Sequence, residues 1–152
     1  MSKSVNTVAV KVLEQTGIPK VLEQAKKMGI TSELPAQPSL AFGTGEIKLN
    51  ELAGAFASYV NKGKAVKPYL IQAITSANDS IIQAFKPEIA EKPAFSENTG
   101  TIMLEFLKAT VNNGTASRLR STYKLQNDMA GKTGTTQNYK DAWFVALTPK
   151  LV

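Results

Sequence analysis

The chain is predicted to form an α+β fold, a helical lobe followed by an antiparallel sheet. Three observations predict it. Three short apolar stripes at helical spacing fill the first 66 residues. From residue 67 the pattern changes to β-rich runs bounded by turn residues, with one long helical pattern between them. The final part holds a short apolar run, Ala142–Leu147, preceded by a strand-like stretch of small and hydroxylated residues around Lys132. Helices first and strands afterwards is an α+β order, not the alternation of a parallel α/β sheet.

The elements follow in turn. Val5, Val8, Ala9, Val12 and Leu13 recur at helical spacing, and Gly17 stops them. Val21, Leu22, Ala25 and Met28 form a second stripe, with Pro19 in its first turn and Gly29 at its end. Residues 31–47 carry prolines and glycines and read as a loop. Leu49, Leu52, Ala53, Phe56 and Val60 make the third stripe, closed by Asn61 and Gly63. Residues 67–75 and 80–87 read as two strands around an Asn78-Asp79 turn, and 88–95 as a proline-bearing linker. A helix capped near Ser96 follows, with Ile102, Met103, Phe106, Leu107 and Thr110 inward, until Gly114 breaks it. Two strands close the chain, at about 129–136 and 142–148, the second expected to be buried.

Composition narrows the chemistry. The 152 residues are enough for one domain with a real core. The net charge of +6 comes from scattered lysines, with only Arg118 and Arg120 as arginines. Nucleic-acid readers favour arginine forks and interleaved aromatics, so no nucleic-acid partner is expected. Cysteine and histidine are both absent. That removes disulfides, thiolate or imidazole metal sites, and every histidine-based catalytic dyad. A base working near neutral pH must then be a lysine of lowered pKa or a carboxylate of raised pKa. Neither a metal nor an organic cofactor is expected, and no signal peptide or membrane-spanning run is visible.

The segment Lys132-Thr133-Gly134-Thr135-Thr136 has nothing to bury. On a strand, Thr133 and Thr135 share one face, and Lys132, Gly134 and Thr136 the other. Two hydroxyls in a row can hold a carboxylate, and a lysine at the rim of a low-dielectric cleft supplies positive charge. A glycine admits a close neighbour, and an edge strand can accept an extended peptide. These features describe a site for a peptide ending in a carboxylate. The alternative is an ordinary strand of small residues with a solvated lysine, and a bare Lys-Thr-Gly tripeptide does not decide between them.

The longer context, "AGKTGTTQNYKDAWFVALTP", resembles the segment that closes the active site of penicillin-binding transpeptidases, whose motifs include Lys-Thr-Gly. "SVNTVAVKVLEQTGI" resembles the family's Ser-x-Asn element and the helix after it. "LAFGTGEIKLNELAGAFASYVNKGKAVKPYLI" is similar to the segment that follows in the class A, bifunctional members. "NNGTASRL" matches their Gly-Thr-Ala turn. The four stretches keep the family's order. The resemblance implies a serine β-lactamase/penicillin-binding transpeptidase-like fold. Residues 1–152 would be the C-terminal part of one such domain, with 1–66 in the helical lobe and 67–152 giving strands and one packing helix.

Roles carry over by position. Ser4 and Asn6 match Ser-x-Asn: the serine relays a proton towards the leaving amine, and the asparagine hydrogen-bonds the substrate peptide. Lys132 would hold the electrostatic field and polarise the serine hydroxyl. Thr133 and Thr135 would bind the terminal carboxylate of a D-Ala-D-Ala stem peptide or a β-lactam, with the Thr135 amide as an oxyanion donor. Gly134 would let the strand lie close to the helical lobe. Ser76-Ala77-Asn78 and Ser96-Glu97-Asn98 match Ser-x-Asn too, but read as a turn and a helix cap.

The family's nucleophile sits in a Ser-x-x-Lys element, well before Ser-x-Asn, on a long apolar helix. Only three residues precede Ser4, so the chain is expected to begin after the nucleophile and to be inactive alone. Ser121-Thr122-Tyr123-Lys124 matches the motif but is short, polar and only eight residues before Lys132; it reads as a surface loop. The parent would be a peptidoglycan D,D-transpeptidase outside the cytoplasmic membrane, anchored by a segment not present here. Two other readings stay open: a non-catalytic binding module, and a D,D-carboxypeptidase or β-lactamase of the same fold. Without the nucleophile helix, the faces of Val8, Val12, Leu52 and Phe56 would lack a partner, so self-association is also expected.

Overall fold

A computed structural model describes residues 1–135 and 142–152. Its architecture is α+β. Helices α1 (Asn6–Thr16) and α2 (Ile18–Lys27) are separated by Gly17 alone, whose φ of +86° only glycine adopts without strain. A short 3-10 turn, Pro38–Phe42, lies inside the predicted loop and packs on α1. Helix α3 (Leu49–Ala57) follows. Glu51 in its first turn accepts from Thr31 Oγ1 at 2.5 Å, from Ser32 Oγ at 2.8 Å and from the amides of Ser32 and Thr31 at 3.0 and 3.2 Å. These donors favour the ionised carboxylate and hold its pKa at about 2. They also tie the α2–α3 connection to α3.

The predicted hairpin around Asn78-Asp79 is present but broken into two short antiparallel ladders. Strand β1 (Val66–Lys67) pairs with β4 (Glu88–Ile89), and β2 (Ala73–Thr75) with β3 (Ile81–Ala84). Pro68 and Pro87 stand between the ladders, and neither has an amide hydrogen to give. The expected 88–95 linker therefore starts as a strand.

Helix α4 (Glu97–Asn113) starts at Ser96, whose Oγ accepts from the Thr99 amide at 3.2 Å. It packs on β5 (Ala130–Thr135), which runs antiparallel to β6 (Ala142–Leu147) from Ala130↔Leu147 to Thr135↔Ala142. Between α4 and β5 in the chain lies a one-turn helix, α5 (Arg118–Ser121). The core cluster is Leu107, Ala130 and Leu147, with Tyr59, Leu104 and Phe56 packed against it, so Phe56 has the partner it was expected to lack.

Several expected core positions are on the surface. On α4 the buried residues are Gly100, Leu107, Thr110 and Val111, whereas Ile102 and Phe106 are 56% and 50% exposed. On α1 only Leu13 is buried, and Val8 and Val12 are 52% and 55% exposed. On β6 only Leu147 is buried, and Trp143 is 53% exposed. Leu13 on α1 and Leu107 and Thr110 on α4 are covered, but among the described residues nothing covers Val8, Val12, Ile102 and Phe106, which belong to the same apolar stripes. No helix among the described residues is long and apolar enough to cross a membrane.

Candidate active site

Strand β5 brings Lys132 to the first residues of the chain. Ala130 and Gly131 are buried under α4, Lys132 and Thr133 are half-buried, and Gly134 and Thr135 are exposed. The strand thus emerges from the core at the lysine. Lys132 Nζ donates to Ser4 Oγ at 3.0 Å and to the Thr133 carbonyl at 2.6 Å. Partial burial removes water from the ammonium group and lowers its pKa from the ordinary lysine value.

Ser4 is held by the segment around it. Its φ of +51° is uncommon for a residue with a side chain, and its amide closes a turn onto the Met1 carbonyl at 3.1 Å. The Ser2 carbonyl accepts from the Thr115 amide at 3.1 Å. A Cβ on Gly114 would come within 2.2 Å of that carbonyl, so glycine leaves the room the segment occupies. Thr115 Oγ1 is also 2.6 Å from Thr133 Oγ1. Residues from both ends of the chain therefore meet over the turn after α4.

Of the remaining predicted site residues, Asn6 opens α1, is exposed and is hydrogen-bonded to none of the other site residues described. Thr135 lies opposite Ala142 at the open end of the ladder. Thr136 lies outside the described residues. The close approach expected at Gly134 is not found: a Cβ there would meet no described atom within 4 Å. The crowded glycine of β5 is Gly131, where a Cβ would come within 2.7 Å of the Phe144 ring and the Val145 carbonyl. Among the described residues, Gly134 instead has open space beside it, on the same face of the strand as Lys132.

The competing motif matches lie elsewhere. Ser76 Oγ bonds Asn78 Oδ1 within the β2–β3 turn, and Ser96 caps α4. Ser121 ends α5, where its hydroxyl donates to the Ser117 carbonyl at 3.3 Å, and Lys124 is exposed. Two cavities, of about 300 Å³ beside Leu22 and Ile30 and about 270 Å³ beside Gly54 and Pro68, touch neither Ser4 nor Lys132. The candidate site is an open strand edge, suited to an extended ligand. Among the described residues no group of three or more carboxylates could hold a metal ion. Sequence reasoning missed Thr115, whose part depends on contacts with two segments far away in the chain.

Comparison with known proteins is consistent along the whole chain. The family model described as "Penicillin binding protein transpeptidase domain" matches residues 1–151. The chain is 36% identical over 152 residues to penicillin-binding protein 1A of Aquifex aeolicus, covering 100% of this chain and 20% of that protein. It thus spans about a fifth of the length of the curated relatives it matches. Its fold is similar to that of penicillin-binding protein 1A from Haemophilus influenzae, at a TM-score of 0.84 and 22% identity, over 95% of this chain and 27% of the other. It is similar also to penicillin-binding protein A from Mycobacterium tuberculosis in its imipenem acyl-enzyme complex, at 0.78 and 19%, over 97% and 37%. With the family match spanning nearly every residue and Ser4 meeting Lys132 at the rim of β5, the chain belongs to the penicillin-binding protein transpeptidase domain family.

Proposed function

We propose that this chain is the C-terminal part of a class A-type serine D,D-transpeptidase domain, supplying its Ser-x-Asn and Lys-Thr-Gly elements. The observation that carries this is the 3.0 Å hydrogen bond from Lys132 Nζ to Ser4 Oγ, between residues 128 apart in the chain. In the parent reaction a serine oxygen attacks the penultimate D-alanine carbonyl. The bond to the last residue breaks and D-alanine leaves with a proton. An amine from a neighbouring stem peptide then attacks the acyl-enzyme, forms the crosslink and frees the serine. Lys132 polarises the Ser4 hydroxyl, which passes the proton to the leaving amine. Thr133 and Thr135 bind the terminal carboxylate, the Thr135 amide faces the oxyanion, and Asn6 bonds the peptide. Gly134 leaves the substrate room beside the strand. The reaction takes place at the extracytoplasmic face of a bacterial membrane, on peptidoglycan, and β-lactams occupy the same site.

The chain by itself binds such ligands without forming an acyl-enzyme, because neither Ser121 nor Ser4 is placed as the family's nucleophile. Intact-mass analysis after incubation with a fluorescent penicillin is expected to show no adduct. An adduct on Ser121 would overturn the assignment of the loop, and one on Ser4 its role as relay.

Its exposed apolar residues also lead copies to associate. Val8, Val12, Ile102 and Phe106, each at least half exposed, forfeit roughly 1.5–3 kcal/mol of burial apiece when left fully wet. Light scattering is expected to show a mass that rises with concentration. A constant monomer mass across a dilution series would refute this.

A further inference from the structure

We propose that Thr115 is a positioning residue of the site: its amide fixes the Ser4 segment, and its hydroxyl sets the direction in which Thr133 presents its proton. The inference rests on the carboxylate-binding role given to Thr133 above. The geometry is a ring. The Thr115 amide donates to Ser2 O at 3.1 Å, Thr115 Oγ1 lies 2.6 Å from Thr133 Oγ1, and Lys132 Nζ donates to Ser4 Oγ at 3.0 Å. Covalent bonds from Ser2 to Ser4 and from Thr133 to Lys132 close it. The turn bearing Thr115 is itself fixed, since the Gly114 and Ala116 amides both donate to the Thr110 carbonyl, at 3.2 and 3.1 Å. Thr110 and Val111 beneath it are fully buried.

A hydroxyl has one proton. If Thr133 gives its proton to Thr115, it has none for a ligand. If Thr115 is the donor, Thr133 Oγ1 accepts and its own proton is free to point at an anion. An arriving carboxylate selects the second arrangement, because a hydrogen bond to a charged acceptor is roughly twice as strong as one between neutral groups. Thr115 then supplies the donor that keeps Thr133 Oγ1 satisfied while its proton faces outward. Its amide keeps Ser4 beside Lys132 through Ser2. A single residue therefore couples the anion-binding hydroxyl to the polarised serine.

The test uses the 152-residue chain, an acyl-L-lysyl-D-alanyl-D-alanine tripeptide, and the C-terminal amide of the same peptide, titrated by NMR. Thr115→Val keeps the shape and the backbone amide but removes the hydroxyl. It is expected to weaken binding of the free-carboxylate peptide about tenfold, and that of the amide peptide less than twofold. Thr115→Ser restores carboxylate binding. In a Thr133→Val background, Thr115→Val has no further effect. An equal loss for both peptides, or no loss for either, overturns the hydroxyl's role while the wild-type binding still supports the proposed function. Wild-type chain that does not prefer the carboxylate peptide overturns both.

Discussion

Replacing Lys132 by alanine is expected to slow β-lactam acylation about a hundredfold, in a transpeptidase domain that joins these residues to a Ser-x-x-Lys helix. The ammonium group donates to Ser4 Oγ, which puts it in a position to act on charge developing there if the serine relays a proton as proposed. One preorganised charged donor of that kind contributes roughly 3 kcal/mol to the transition state. Lys124→Ala is expected to stay within about twofold, because Lys124 is exposed on the loop after α5 and bonds no site residue described. Stability should not follow the rate. Burial lowers the folded-state pKa of Lys132, so the unfolded chain binds its proton more tightly than the folded one. The charged lysine therefore weakens the fold at neutral pH. That cost fades only as pH rises through the lowered folded value towards the ordinary lysine value. Lys132→Ala removes this cost together with the hydrogen bonds to Ser4 and to the Thr133 carbonyl, so at pH 7 its unfolding midpoint is expected to change little while its acylation collapses. Penicillin-labelling rates and thermal unfolding, measured on both variants, check the pair of effects. Equal rate losses at Lys132 and Lys124 would mean that neither acts through its position.

The helices were legible because glycines and a capping serine punctuate them: Gly17 between α1 and α2, Ser96 before α4 and Gly114 after it. Burial was not legible to the same degree. Periodicity says which side of a helix is apolar, but it cannot say whether a neighbour covers that side. Val8 and Val12 on α1, and Ile102 and Phe106 on α4, follow the stripe and still face outward. The hairpin around Asn78-Asp79 forms as β2–β3, but its extent was misjudged because β-rich composition outweighed Pro68 and Pro87, beyond which the pairing resumes as β1–β4. At the site, Ser4 and Lys132 were singled out only through the resemblance of their surrounding segments. Neither residue's local sequence contains the other, and their meeting depends on the Gly114–Thr115 turn. That turn was visible as a motif but not as a support, since a hydroxyl pair between residues 115 and 133 has no local signature. The glycine of β5 shows the same limit. The pattern put a tight contact at Gly134, and the packing put it at Gly131, because Phe144 from β6 lies over the latter.

Gly63→Ala is expected to lower stability by about 3 kcal/mol or more, the largest effect of a single methyl on this fold. Gly63 has a φ of +80°, where a side chain is strained. A Cβ there would also stand 2.0 Å from the Phe95 carbonyl, a backbone atom that cannot rotate away. The contact is part of a joint. The Gly63 carbonyl accepts from the Ala94 amide at 2.8 Å, and its own amide donates to Ser58 O at 2.9 Å. The Phe95 ring lies 5.3 Å from the Tyr59 ring, and Gly100 on α4 lets Phe95 and the Tyr59 carbonyl approach closely. Moving Phe95 therefore shifts Ser96, the cap of α4, and with it the helix that carries β5. For a chain of this size, 3 kcal/mol corresponds to a fall of roughly 6–12 °C in the unfolding midpoint. Gly134→Ala makes the control, because its side chain would meet no described atom within 4 Å and would replace a residue that weakens a strand. It should leave the midpoint within about 2 °C while weakening binding of a D-Ala-D-Ala peptide, whose room it takes. Calorimetry on the two variants separates a glycine the fold needs from one the ligand needs. A Gly63→Ala midpoint within 2 °C of the parent would show that the α3–α4 joint can open without loss. The position of β5, and of Lys132 on it, would then have to be set by something other than that joint.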